Sequence, residues 1–217
     1  MKTLGNVLIL GDSYSTFLGY IPETNNTYYG REDTASLCVN SAEKTWWDQL
    51  LKATSSTLLL NESFSGSTIC YTGYPANDKA FSRRISFVVR LENLIARGFF
   101  KKNRVDTVLI FGGTNDFWAN SPWGELSSED FSEENLTCVA PACTYLIRRL
   151  KEIASNARII GIINTEFSQE FTTLLEAVFK KENVECVSLA YIEKENAHPN
   201  AQGMREIAQQ LLTYLNK

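Results

Sequence analysis

One histidine, His198, stands among 217 residues, and this scarcity narrows the chemistry at once. With a single imidazole, and with Cys138 and Cys143 at a spacing that fits no zinc motif, no structural metal is expected. Five cysteines at irregular positions are an odd number, and a chain of this length needs no cross-links to hold a core, so all five are expected as reduced thiols, most of them buried. Basic residues show no excess either: 21 Lys and Arg against 25 Asp and Glu give a net charge of -4, spread along the chain. Without a basic stripe to neutralise a phosphate backbone, nucleic acid is not an expected partner. No window approaches the roughly 20 apolar residues that span a bilayer, so no membrane span is expected. The first apolar run, Val7-Leu8-Ile9-Leu10, is short and ends in Gly11-Asp12 instead of a small-residue cleavage site. It reads as a strand, and a cytoplasmic location is the expectation, with secretion after removal of a signal left open. The oligomeric state stays open as well.

What is present is an ordinary globular composition, 44% hydrophobic and 21% charged, which at this length is expected to form one domain over residues 1–217. Short apolar runs alternate with stretches of helical period. Strands are expected near 6–10, 57–60, 105–111, 158–163 and 184–189, several of them continuously apolar, as strands are when helices cover both faces of a sheet. Between them, Trp46, Trp47, Leu50 and Leu51 predict a helix behind a cap at Asn40 or Ser41. Ile85, Val88, Val89, Leu91 and Ile95 predict one amphipathic helix. Further helices are predicted over 145–153, through Phe171, Leu174, Leu175, Val178 and Phe179, and from Pro199-Asn200 through Met204, Ile207, Leu211 and Leu215. The fold class is therefore α/β: a three-layer α/β/α sandwich on a mostly parallel five-stranded sheet. Two connections, 15–39 and 118–134, are long for such a domain. Both leave the carboxyl edge of the sheet, where ligands bind in open α/β folds, so they are expected to be pocket walls.

Four short segments fall where such a sheet would bring them together. Gly11-Asp12-Ser13-Tyr14-Ser15, Asn61-Glu62-Ser63-Phe64-Ser65-Gly66 and Gly112-Gly113-Thr114-Asn115-Asp116 follow the first three strands, and Glu195-Asn196-Ala197-His198-Pro199 follows the fifth. A serine hydroxyl attacks an ester only when a neighbour takes its proton, and His198 is the one imidazole able to do so. Alone, Ser13 reads equally as a helix-turn cap, Gly66 as a loop glycine and Asn115 as a turn residue. Taken in order, the four segments resemble the SGNH branch of the GDSL esterase and lipase family, over nearly the whole chain.

The resemblance implies a flavodoxin-like arrangement of the sandwich and a serine hydrolase acting on a small or medium acyl ester, an acetylated carbohydrate being one candidate. Ser13 would be the nucleophile and His198 the base. The backbone N–H groups of Ser13 and Gly66 and the side-chain amide of Asn115 would form the oxyanion hole, with no metal or organic cofactor. Two residues depart from the family pattern. Glu195 stands where an aspartate is expected three positions before the histidine; it would orient His198, orient it with altered geometry, or point to solvent and leave a dyad. Tyr14 replaces a leucine and is expected to change packing behind the nucleophile. Asp12 and Asp116 read as turn carboxylates. The aromatics of the two long connections would stack on a sugar or pack an acyl chain, although for most of them satellite core is the stronger expectation. A thioesterase or lysophospholipase of the same mechanism, and a non-catalytic module holding a ligand in the same crevice, remain as alternatives. A cofactor or phosphate protein does not, because Gly112-Gly113-Thr114 is too short for a Walker loop and no G-x-G-x-x-G follows the first strand.

Overall fold

The computed structural model describes residues 3–126 and 129–216. In chain order the elements are β1 (Asn6–Gly11), α1 (Trp46–Ala53), β2 (Thr57–Asn61), α2 (Lys79–Ile85), α3 (Phe87–Ala96), α4 (Phe99–Lys102), β3 (Thr107–Phe111) and α5 (Thr114–Trp118). They continue with α6 (Val139–Ile153), β4 (Arg158–Ile163), α7 (Gln169–Lys181), β5 (Glu185–Ser188), β6 (Lys194–Glu195), β7 (His198–Pro199) and α8 (Ala201–Leu215). The sheet is five-stranded and parallel throughout, in the order β2-β1-β3-β4-β5. The chain moves from β1 out to β2 and then returns to the other side of β1 with β3. That reversal opens a crevice between the carboxyl ends of β1 and β3, the usual ligand position in a doubly wound sheet.

Alternation along the strands divides the core in two. Leu8, Leu10, Val108 and Ile110 face one side with Phe87, Leu91, Leu146, Ile147, Phe171 and Val178 from α3, α6 and α7. Val7, Ile9, Leu109, Phe111, Ile160 and Ile162 face the other with Trp46, Trp47 and Leu50 of α1 and Met204, Ile207 and Leu211 of α8. This two-sided burial is why the strands read as unbroken apolar runs.

The expected single helix through 85–95 is two. Ser86 leaves the helical path, donates its hydroxyl to Arg83 O at 2.7 Å and caps α3 by accepting from Val89 N at 3.3 Å. The cap of α1 is likewise Thr45, not Asn40 or Ser41, because residues 42–44 form a separate 3-10 turn before it. The helix expected over 145–153 begins earlier, at Val139. Of the five free thiols, only Cys70 and Cys143 are fully buried; Cys38 is exposed and Cys138 and Cys186 lie between, so fewer are buried than composition suggests. No helix among the described residues is long and apolar enough to cross a membrane.

Candidate active site

β1 ends at Gly11, where a Cβ would come within 2.6 Å of the Ser15 and Ser63 side chains, so glycine alone lets the turn pass. Asp12 then accepts from Tyr14 N at 3.0 Å and closes a 3-10 turn over Ser13–Ser15. The turn aims the Ser13 hydroxyl across the crevice, and its Oγ lies 3.0 Å from His198 Nε2. Ser13 opens this turn, so its N–H has no intrahelical acceptor and remains available.

His198 arrives on a hairpin absent from the sequence expectation. β6 and β7 pair antiparallel, Glu195 opposite His198, around a turn whose central residues, Asn196 (φ 49°) and Ala197 (φ 62°), are both left-handed. Such a turn matches the twist of a two-residue hairpin, and it folds the Asn196 carbonyl back to 3.0 Å from His198 Nδ1. A carbonyl can only accept. The Nδ1 position must therefore carry the hydrogen, which leaves Nε2 as the acceptor for the Ser13 hydroxyl. Two phenols pin the hairpin from below: Tyr14 donates to Ala197 O at 2.6 Å and Tyr29 donates to Pro199 O at 2.7 Å. Burial raises both phenol pKa values, so both stay neutral donors. Asn200 caps α8 directly behind, accepting from Gln202 N and Gly203 N.

Glu195 does not take the orienting role. Its side chain is exposed, and the partner of His198 Nδ1 is the Asn196 carbonyl, an acceptor that side-chain patterns do not encode. The Tyr14 substitution does more than alter packing, since its hydroxyl ties the nucleophile turn to the histidine hairpin.

The other two donors that the resemblance implies follow β2 and β3 in the chain. Gly66 has φ 86°, a left-handed conformation, and no atom within 4 Å of where a Cβ would stand, so its backbone borders open space. Asn115 begins α5; its Oδ1 accepts from Tyr74 OH at 2.7 Å, and its Nδ2 donates to Ser67 O at 2.9 Å. Those two contacts fix the amide orientation and leave one Nδ2 hydrogen free for a substrate oxygen. Asp116 joins the same parts, accepting from Ile69 N at 2.8 Å and Cys70 N at 3.2 Å. Asp12 and Asp116 thus act as turn and loop anchors. Burial raises both carboxyl pKa values, Asp12 to about 7.

Sequence reasoning missed four residues here. Arg90 is 4% exposed, yet its guanidinium donates to Gly11 O at 3.0 Å, Ser67 Oγ at 3.0 Å, Ile85 O at 2.9 Å and Glu62 O. It binds the nucleophile turn to the Gly66 loop, and burial lowers its pKa to about 10. Tyr74 orients Asn115. Lys194, nearly buried, donates to Asn164 Oδ1 and Thr165 Oγ1 and pairs with Glu166 at 3.0 Å. Tyr28, from the first long connection, lies flat on the His198 ring. The signal for Arg90 was a cation within an apolar stretch, and Tyr28 fell among the aromatics of the first long connection; Tyr74 and Lys194 had none. Burial lowers the His198 pKa, opposed by the Asn196 hydrogen bond and Glu166, with Lys194 lowering it further.

A cavity of about 410 Å³ lined by Phe100, Asp106 and Asn156 opens at the other, amino-terminal end of the strands, far from these groups. The Ser13–His198 contact is the nucleophile–base pair used by serine hydrolases, on an α/β/α sandwich with a five-stranded parallel sheet. The chain belongs to the GDSL-like lipase/acylhydrolase family, whose model matches residues 5–215. It is 36% identical to a protein from Bacteroides ovatus ATCC 8483 described as a GDSL-like lipase, with 99% of each chain covered and a TM-score of 0.86. A protein of the same description from Bacteroides uniformis ATCC 8492 is 35% identical, with 98% of this chain and 96% of that one covered and a TM-score of 0.86. An acetyl xylan esterase from the rumen bacterium Butyrivibrio proteoclasticus shares the fold at 15% identity; the likeness covers all of this chain (100%) and 64% of that one, with a TM-score of 0.62. No curated protein matches the chain.

Proposed function

We propose that this chain is a serine esterase that cleaves a small or medium acyl ester through an acyl-serine intermediate. The observation that carries this reading is the 3.0 Å contact from Ser13 Oγ to His198 Nε2, with Nδ1 held by a backbone carbonyl. As Oγ attacks the ester carbonyl, its proton passes to Nε2, and the carbonyl electron pair becomes an oxyanion facing Ser13 N, Gly66 N and Asn115 Nδ2. Each such donor is worth on the order of 3 kcal/mol in the transition state. Collapse of the tetrahedral centre breaks the bond to the alcohol, which leaves with the proton from Nε2. Water, deprotonated by the same nitrogen, then releases the acid and restores Ser13.

An acetylated carbohydrate is the substrate we favour within this class. The half-buried rings of Tyr28 and Trp118 beside His198 suit a sugar face, and a relative of the same fold is an acetyl xylan esterase. The test is a panel of acetyl, butyryl and long-chain acyl esters, an acyl thioester and acetylated xylo-oligosaccharides, run on wild type, Ser13→Ala and His198→Ala. Hydrolysis of acetyl substrates should fall by roughly 10³-fold or more in both variants. Preference for long acyl chains or for the thioester would replace the substrate with a lipid or thioester. Equal rates in all three proteins would turn the crevice into a ligand-binding site without catalysis.

A further inference from the structure

Tyr28 and His198 stack with ring centroids 3.6 Å apart and planes 10° from parallel. At that separation the imidazole lies face to face with the phenol ring. A cation over the negative face of an aromatic ring is drawn to this position. The arrangement therefore suits the protonated imidazolium better than the neutral base.

The rest of the surroundings do not favour the cation by themselves, since burial and Lys194 lower the His198 pKa. Tyr14, Trp118 and Tyr29 close round the imidazole at 5.4, 6.2 and 6.5 Å between ring centroids. From the nucleophile turn come Ser13 and Tyr14, from the first long connection Tyr28 and Tyr29, from α5 Trp118, and from the hairpin the Asn196 carbonyl and Lys194. The one carboxylate acting on the ring, Glu166, is already paired with Lys194, and the two push the imidazole in opposite directions. Burial raises the Tyr28 phenol pKa, so Tyr28 remains neutral and its ring keeps an uncharged, electron-rich face.

We propose that Tyr28 is a positioning residue whose ring face stabilises the His198 imidazolium, taking the place of the carboxylate that a Ser-His-Asp triad would supply. In the esterase cycle, on which only the kinetic part of this proposal rests, the proton leaves Ser13 Oγ for Nε2 as the Oγ–C bond forms. The new cation lies between the Asn196 carbonyl and the Tyr28 face until the leaving alcohol takes the proton. Tyr28 itself neither gives nor accepts one.

His198 being the sole histidine, its imidazole C–H signal can be titrated by NMR without assignment, in wild type, in Tyr28→Phe, and in the full chain with trifluorophenylalanine installed at position 28. Fluorination drains charge from the ring face while nearly keeping its shape, so folding is preserved across the series. Tyr28→Phe keeps an electron-rich face and is the reference against which the His198 titration and kcat of the fluorinated protein are read. The fluorinated ring should lower the His198 pKa and reduce kcat roughly tenfold with KM unchanged. Identical titration and kcat for the phenyl and fluorinated rings overturn the proposal. A graded titration in a protein that hydrolyses no ester faster than Ser13→Ala upholds the ring's hold on the imidazolium and removes the esterase reading instead.

Discussion

At the scale of single residues, the account turns on which group holds His198. A backbone carbonyl at Nδ1 fixes the tautomer without a carboxylate bonded to the ring, and the carboxylate that raises its pKa, Glu166, is opposed by its own partner Lys194. Glu195→Gln, which would cost a true triad a large part of its rate, should leave kcat/KM within about twofold; a steady-state comparison on an acetyl ester decides this. A drop of 10²-fold would return Glu195 to the site. The direction of the His198 pKa gives a second expectation. The base works only when neutral, and burial lowers its pKa from the ordinary 6.5, so the acid limb of kcat/KM should lie below that value and activity should persist into mildly acidic buffer. A pH profile with its acid limb above 6.5 would contradict the buried, carbonyl-held imidazole. Tyr74 and Lys194 had no legible signal in the sequence, because each works through where its side-chain tip ends up in space, and Tyr28 was legible only as one of the aromatics of a long connection.

At the scale of elements, the nucleophile turn and the loop after β2 must be held in register with one another, and Arg90 is the tie. Its guanidinium serves the carbonyls of Ile85 before α3, of Glu62 just after β2 and of Gly11 at the end of β1, the last of which also accepts from Phe64 N. Arg90→Met should therefore destabilise the fold by about 3 kcal/mol or more, since buried carbonyls left without donors cost about 1 to 3 kcal/mol each. Urea unfolding of the variant measures it, and a loss under about 1 kcal/mol would show that water replaces the arginine. The strands and α8 were legible because burial on one or two faces imposes a period on their residues. The break at Ser86 was not, since Ile85, Val88, Leu91 and Ile95 keep an apolar face on either side of a serine that turns into a cap. Nor was the β6–β7 hairpin, two residues per strand and too short for any period, whose tight turn carries an alanine at φ 62°.

At the scale of the whole molecule, the strand order 2-1-3-4-5 explains why residues from both ends of the chain meet. Each chemical segment follows a strand on the same edge of one parallel sheet, so assigning the strands was enough to expect Ser13 and His198 at one crevice, where they meet at 3.0 Å. What the strand rhythm could not provide was the backbone: the acceptor at Nδ1, the left-handed turn and the buried guanidinium depend on local dihedrals and not on residue type. The central claim is that this folded arrangement activates one hydroxyl out of all those in the chain. The most direct measurement is to treat the native protein with a fluorophosphonate, digest it and map the adduct by mass spectrometry. Stoichiometric labelling of Ser13 that vanishes in His198→Ala is the predicted result. Labelling at another serine, or at Ser13 regardless of His198, would contradict it.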